Sequence, residues 1–356
     1  MSHATHPPET DLLLPLPDDE PWDHHTIHTH YFGFSVPEAE IGAFIYVRYQ
    51  PTFPLCQGGV AIFRGTDNVN PIDIEHLDYE ITMPWPEVDG SSITTANGLR
   101  IDFEEPGRVV HISYASQDGE TKLELTQTAV TPLLARGHVM PGEDDHHGDP
   151  GRVPGGSEQF MHCVGHLELG GERYAIDCYA IRDRSWRQVR KEDQGGVPMP
   201  PVGWSPMYFG EDLIFNQISF EAPDTDPEWT GVYEVPAGAP THHFAWVHSN
   251  GVTKAVTRVH RRVLERQPHT FATLRQEIEA GLLAAQVDVG EDGVVIMLAE
   301  QPHGRPVVAG GIHQITVLGQ EPPKGLAQVG VIFNHEDSGC HGYPQDIVVS
   351  RANQAP

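Results

Sequence analysis

Acids, histidines, tyrosine and arginines recur at spacings suited to proton chemistry within one stretch of the 356-residue chain. Glu158, His162, His166, Asp177, Tyr179, Arg182, Asp183, Arg184 and Arg190 all fall there. Gly170-Gly171 separates two alternating runs, the composition of a two-residue primed hairpin turn, whose central positions need positive φ. That turn predicts Leu169 opposite Glu172, and with it Cys163 opposite Cys178, Leu167 opposite Tyr174 and Met161 opposite Ala180 on a mainly apolar face. The other face then pairs Glu158 with Asp183, Phe160 with Ile181, His162 with Tyr179 and Val164 with Asp177. Directly opposed side chains have Cβ atoms ~5 Å apart, so two carboxyl groups meet. Like charges so placed destabilise a sheet unless one is protonated or a cation intervenes, and Arg182, Arg184 and Arg190 are near enough in sequence to supply one. Plainer readings stay open. Alternation alone favours a wetted face, and most arginines make surface ion pairs of little energetic worth. A slip of one residue would turn every side chain to the opposite face.

The elements that must position these residues are short β-type runs punctuated by 36 glycines and 31 prolines. Runs at 41–49, 59–63, 99–103, 109–114, 122–128, 160–169, 173–181, 213–220, 294–299 and 314–318 argue for antiparallel barrels or sandwiches. At 270–285, Phe271, Leu274, Ile278 and Leu282 stand at helical spacing and predict one short helix. The segment 136–157 reads as a polar loop, and 188–206, with its glycines and prolines, reads as a linker. A chain of this length exceeds what one core usually serves. The expected division is a tail at 1–20, a first β domain at 21–187, the linker, and a second β domain at 207–356.

Charge narrows the partners. With 22 Lys+Arg against 50 Asp+Glu, the net charge of −28 repels nucleic-acid phosphates and anionic lipid headgroups. No run approaches the ~20 apolar residues of a membrane span, and the first residues lack a signal-peptide pattern, so membrane insertion is not expected and a cytoplasmic setting is. Four cysteines, Cys56, Cys163, Cys178 and Cys340, are too few for a disulfide scaffold; Cys163 and Cys178 read better as two buried thiols than as a bridge. The tract His24, His25, His28, His30 invites a zinc reading, but in a chain with 22 histidines chance clustering competes with it, and no metal is the expectation. His242, His243, Trp246 and His248 are either pocket or structural residues. Hydrolase elbows, phosphate loops and dinucleotide fingerprints are absent from the sequence.

The hairpin also carries a resemblance. Glu158-Gln159, Ile176-Asp177 and the run Arg182-Asp183-Arg184-Ser185-Trp186 with Arg190 resemble the signature of the hydroxyneurosporene synthase, or carotenoid hydratase, and AttH-like family. That family shows an E-Q pair followed by I-D-G-x-G-x-R-D-[HR]-S-W-G-x-R. Glu20-Pro21-Trp22, Tyr31-Phe32-Gly33-Phe34 and Tyr46-Val47-Arg48-Tyr49-Gln50-Pro51 are similar to its opening pattern. Cys178, Ala180 and Arg187 stand where the family has glycines, and Gly339-Cys340-His341-Gly342-Tyr343 matches its ending only loosely.

The resemblance implies a mostly-β protein of two lipocalin-like antiparallel β-barrel domains in tandem. It implies hydration, dehydration or cyclisation of a hydrophobic terpenoid, polyene or steroid-like substrate without metal or organic cofactor, and it makes Asp183 the proton donor. The expected enzyme is an acid–base lyase or isomerase. Glu158 would tune Asp183, and His162 or Tyr179 would assist proton transfer or place water. Trp186, Trp204, Tyr208 and Phe209 would line the substrate, while Arg182 and Arg184 orient carboxylates. Protonating an alkene needs a carboxylic acid still protonated near neutral pH, which burial or a second carboxyl favours. The resulting cation needs aromatic faces and exclusion of water. The alternative is a non-catalytic lipocalin-like carrier of a hydrophobic small molecule.

Overall fold

Period-two alternation decides the first half of the chain. In the segment Ile41–Gln50, Ile41, Ala43, Ile45, Val47 and Tyr49 are buried while Phe44 is exposed and Tyr46 and Arg48 are only partly covered. Residues alternating in this way can satisfy one core only as a strand. The structure, a computed structural model, describes residues 5–13, 16, 22–65, 74–135, 154–189, 202–204, 206–210, 213–220, 242–256, 258–266, 273–281, 292–297, 316–320 and 327–332. By its contacts the chain divides into two compact units, one spanning Ala4–Gly195 and the other Gly196–Val307 with Gly311–Pro356.

The first unit holds β1 (Thr26–Val36), β2 (Ile41–Gln50), β3 (Leu55–Arg64), β4 (His76–Pro84), β5 (Glu87–Asp89) and β6 (Ser92–Thr94). It continues through β7 (Arg100–Glu105), β8 (Val109–Ala115), β9 (Thr121–Ala129), β10 (Leu134–Ala135), β11 (Gly155–Leu169) and β12 (Glu172–Val189). They form one antiparallel sheet in the order β4-β3-β2-β1-β12-β11-β9-β8-β7-β6-β5, with β10 beside β11. The chain therefore runs outward from β1 to one edge, restarts at the other edge, and returns until β12 pairs with β1. Only Trp85 and Pro86 join β4 to β5, so the two edges of the sheet must approach each other there. The sheet is curled into a half-barrel, and side chains tie it across. Tyr114 of β8 donates to Asp78 of β4 at 2.7 Å, His76 lies 2.9 Å from the Tyr114 hydroxyl, and Asn97 donates to Asp78 at 3.1 Å. Phe32, Phe34, Ile45, Val47, Val60, Ile62, Ile101, Phe103, Ile112, Leu123, Leu125 and Met161 fill the concave side as one core.

A turn of 3-10 helix at Pro8–Asp11 belongs to this unit and brings Leu13 into the same core. Thr5 bridges Leu134, and the His6 amide donates to the Leu133 carbonyl at 2.9 Å.

The second unit contains β13 (Val202–Trp204), β14 (Met207–Tyr208), β15 (Ile214–Phe220), β16 (His242–Ser249) and β17 (Val252–Ala255) in one antiparallel sheet. Beyond it lie β18 (Arg258–Arg266), β19 (Thr273–Gly281), β20 (Asp292–Met297), β21 (Thr316–Gln320) and β22 (Ala327–Ile332). β20 runs parallel to β22, a departure from uniform antiparallel pairing. Of the helix expected at 270–285, the described part, Thr273–Gly281, is the strand β19, paired antiparallel to β18 with His260 opposite Glu279 and Arg261 opposite Ile278; the rest lies outside the described residues. The step of four from Leu274 to Ile278 suits a strand face as well as a helix, whereas the step of three from Phe271 to Leu274 suits only the helix, and pairing with β18 satisfies the backbone of the strand. No α-helix occurs among the described residues, and none is long and apolar enough to cross a membrane. Within the expected loop 136–157 and linker 188–206, residues 136–153 and 190–201 lie outside the described residues; β11 begins at Gly155 and β12 ends at Val189.

Candidate active site

The hairpin of β11 and β12 takes the register that its glycine turn dictates. Gly170 and Gly171 have φ of 58° and 85°, both left-handed, as a primed turn between right-twisted strands requires. Pairing then runs from Leu169 opposite Glu172 to Gly155 opposite Trp186. Glu158 opposes Asp183, Phe160 opposes Ile181, and His162 opposes Tyr179, all on the convex face. Glu158 and Phe160 are fully buried, whereas Asp183 is partly exposed.

The same alternation separates the sequence candidates. Arg182 and Arg184 flank Asp183 in the chain and therefore point to the concave side, away from the carboxyl pair. Arg182 does orient a carboxylate, but that of Asp11: two hydrogen bonds of 2.7 Å join them, at 3% and 0% side-chain exposure. Asp11 Oδ2 also accepts the Gly107 amide at 2.8 Å, and Gln159 Oε1 accepts the Arg182 Nε at 2.9 Å. Arg184 donates to the carbonyls of Thr29 at 3.1 Å, Leu12 at 3.3 Å, and Ser185, and burial draws its pKa down to about 10. Trp186 lies on that side too, 5.9 Å from the Arg184 guanidinium and edge-on to His6 at 4.8 Å. Its ring lies across Gly155, where a Cβ would approach to 2.5 Å. Arg182, Arg184 and Trp186, near Asp183 in sequence, thus do not share its face, because neighbours in a strand face opposite ways.

His162 and Tyr179 share Asp183's face but stand four residues along the strand, about 13 Å away. They stack on each other at 4.8 Å, and His162 Nε2 lies 2.7 Å from Asp177 Oδ1. Between them and the carboxyl pair stands the apolar pair Phe160 and Ile181. Trp204, Tyr208 and Phe209 belong to the second unit: Trp204 pairs with Ile218, Tyr208 with Ile214, and the Phe209 amide donates to the Leu213 carbonyl at 3.0 Å. His248, buried there, lies 2.7 Å from the Thr253 hydroxyl, and the side chains of His242 and His243 lie outside the described residues. Cys56, Cys163 and Cys178 are buried free cysteines, and Gln127 donates to the Cys163 sulfur at 3.3 Å.

Sequence reading missed what β1 contributes. Tyr31 pairs with Asp183 in the β1–β12 register and with Tyr46 across β2, so it stands on the carboxyl face. Its phenol is pushed up to about 12, by burial first and by the Asp183 charge second. On the concave side, His30 Nδ1 lies 3.1 Å from the Tyr49 hydroxyl and His30 Nε2 3.0 Å from the Asp11 carbonyl. His28 Nδ1 accepts the Arg187 amide at 3.1 Å. Arg187, which replaces the glycine of the resemblance, has φ of 55°, the left-handed region that favours glycine. The histidine tract is thus distributed: His24 packs on Phe53, while His28 and His30 bond to the protein's own groups.

Burial, reinforced by the nearby arginines, lowers His28 to about 3 and holds His30 well below its ordinary value. Below about 6.5 the unfolded chain binds protons that these imidazoles refuse, so stability is complete above that pH and declines as pH falls. The expected slope is about 1.4 kcal/mol per pH unit for each histidine. Urea unfolding between pH 7 and pH 5 should show it, and His28→Gln should lessen it; a flat profile would contradict neutral burial.

A mostly-β protein is thereby defined, with a curled antiparallel half-barrel sheet whose long hairpin sets two opposed carboxyl groups on one face and a buried arginine–aspartate pair on the other. The chain belongs to the family described as domain of unknown function DUF7064, whose model matches residues 17–309. Among solved structures it is similar to a putative AttH from Nitrosomonas europaea, 14% identical, with a TM-score of 0.47 over 75% of this chain and 83% of that one. It is also similar to kievitone hydratase from Nectria haematococca, 13% identical, with a TM-score of 0.41 over 78% and 80% of the two chains. For CghA with Sch210972 the identity is 8% and the TM-score 0.36, over 73% of each chain. No curated protein matches the sequence.

Proposed function

We propose that this protein is an acid–base lyase or isomerase acting on a hydrophobic small molecule, with Asp183 as the proton donor. The observation that carries the reading is the direct opposition of Glu158 and Asp183 on a face where Tyr31 completes the row. Opposed like charges repel, and a proton kept by the pair, or a cation beside it, relieves the repulsion; the proposal takes the first. Glu158 is fully buried, whereas Asp183 keeps some surface although its Oδ2 is enclosed, so Asp183 is the more accessible member of the pair. The resemblance of Arg182-Asp183-Arg184-Ser185-Trp186 to the hydroxyneurosporene synthase motif supports the same residue.

In the hydration direction the Asp183 proton passes to an alkene carbon, and the π-electron pair becomes the new C–H bond. A water oxygen then adds to the cation, and its surplus proton returns to the Asp183 carboxylate. Dehydration is the reverse. In cyclisation a second double bond of the same molecule takes the place of water, and a proton lost from a neighbouring carbon restores the acid. Terpenoids, polyenes and steroid-like alkenes or tertiary alcohols are the substrate classes to try, with no added cofactor.

The test is incubation with such a panel in D2O, followed by mass spectrometry of the organic extract. The expected product of hydration or cyclisation carries deuterium at the protonated carbon, and that of dehydration has lost the mass of one water. Tight binding across the panel with no chemical change would instead establish the carrier reading.

A further inference from the structure

Beyond Asp183, the row of residues on the convex face continues across β1, β2, β3 and β4. Asp183 pairs with Tyr31, Tyr31 with Tyr46, Tyr46 with Gly59, and Gly59 with Tyr79. One position along, Phe44 pairs with Gly33 and Ala61 on the same face. The rings of Tyr31 and Phe44 lie 5.2 Å apart and those of Phe44 and Tyr46 5.5 Å, within the range of attractive aromatic contact. Phe44 is 38% exposed although its strand neighbours Ala43 and Ile45 are buried.

Glycine positions shape this surface. A Cβ at Gly33 would stand 2.9 Å from the Tyr31 hydroxyl, so that phenol lies along its own strand over the gap Gly33 leaves. A Cβ at Gly42 would likewise meet the Phe63 ring at 2.5 Å. Phe44, the exposed member of the row, keeps ring surface open beside the two tyrosines, and ring faces attract apolar skeletons and stabilise positive charge. Two strand spacings, about 10 Å, separate Asp183 from Tyr46, which is the scale of a small polycyclic or conjugated molecule.

We propose that Tyr31, Phe44 and Tyr46 form the floor on which the flat, neutral, apolar part of the reactant lies beside Asp183. The floor supplies both the affinity for that skeleton and the π-faces that carry its transient cation. It takes the place of Trp186, which faces the other side of the sheet. The assignment rests on Asp183 being the acid, but its test does not depend on turnover.

The probe is Nile red, a neutral, flat, polarity-sensitive dye, titrated against the whole chain by fluorescence. Phe44→Ala and Tyr46→Ala should each weaken its binding about tenfold, as loss of a buried ring contact does. Phe44→Leu, which keeps bulk and lacks a π-face, should fall between them and the wild type. Phe53→Ala removes an exposed ring of the same unit outside this row and should leave binding unchanged. Wild-type affinity in both Phe44→Ala and Tyr46→Ala, failure of the wild-type protein to bind the dye, or an equal loss in Phe53→Ala would each overturn the proposal. Undiminished turnover in Asp183→Asn would remove the acid while leaving the floor standing.

Discussion

Asp183→Asn is expected to fold normally, bind its reactant, and lose turnover by ~10²–10⁴. The amide preserves the shape of the carboxyl group and removes the transferable proton. Its position predicts a small structural effect, because Asp183 is partly exposed and its opposite neighbour Glu158 loses a like charge. Glu158→Gln should give a different signature. Glu158 never meets the reactant in this reading, so the change should displace the pH–rate profile rather than abolish turnover. Steady-state kinetics on the first substrate found, with the denaturation midpoint of each variant, checks both. Near wild-type turnover in Asp183→Asn would defeat the mechanism.

Asp11→Ala should lower stability by about 3–5 kcal/mol, the usual consequence of leaving one buried charge without its partner. Arg182 would keep Gln159 but lose both bonds to the carboxylate, and the Gly107 amide would lose its acceptor. Replacing both charges with apolar residues, Asp11→Leu with Arg182→Met, should cost much less, since the desolvation of two ions is relieved together. Urea denaturation of the two variants distinguishes the cases. Equal losses would mean that Gln159, Gly107 and the local packing, and not the charges, hold the segment in place.

The hairpin was legible because its determinants are local. Gly170-Gly171 specifies the turn, the turn specifies the register, and the register places Glu158, Asp183, His162 and Tyr179 on one face without any tertiary information. The same alternation already separated Arg182 and Arg184 from Asp183, a consequence outweighed by their nearness in sequence. The place of Tyr31, Phe44 and Tyr46 beside Asp183 was not legible, because it depends on β1 pairing with β12, and nothing local announces that pairing. Asp11 was hidden for a similar reason: an aspartate in a polar, proline-bearing N-terminal stretch gives no sign of a buried partner 171 positions away. The segment 270–285 misled because a spacing of four residues serves a helix and a strand face alike, and only the presence of β18 decides between them.

The short link between β4 and β5 has a kinetic consequence. Most neighbours in the sheet are consecutive in sequence and can zip up by local contacts, β9 with β11 being the longer-range exception in the second arm, whereas the junction of β1 with β12 brings together Thr29 and Arg184, 155 positions apart. Closure of so long a loop is the entropically expensive step and is expected to come late in folding. Tyr31 and Asp183 sit on opposite sides of that junction, so the carboxyl–aromatic row is completed only when the seam shuts. A partly folded chain can own both arms and every hairpin and still lack that row.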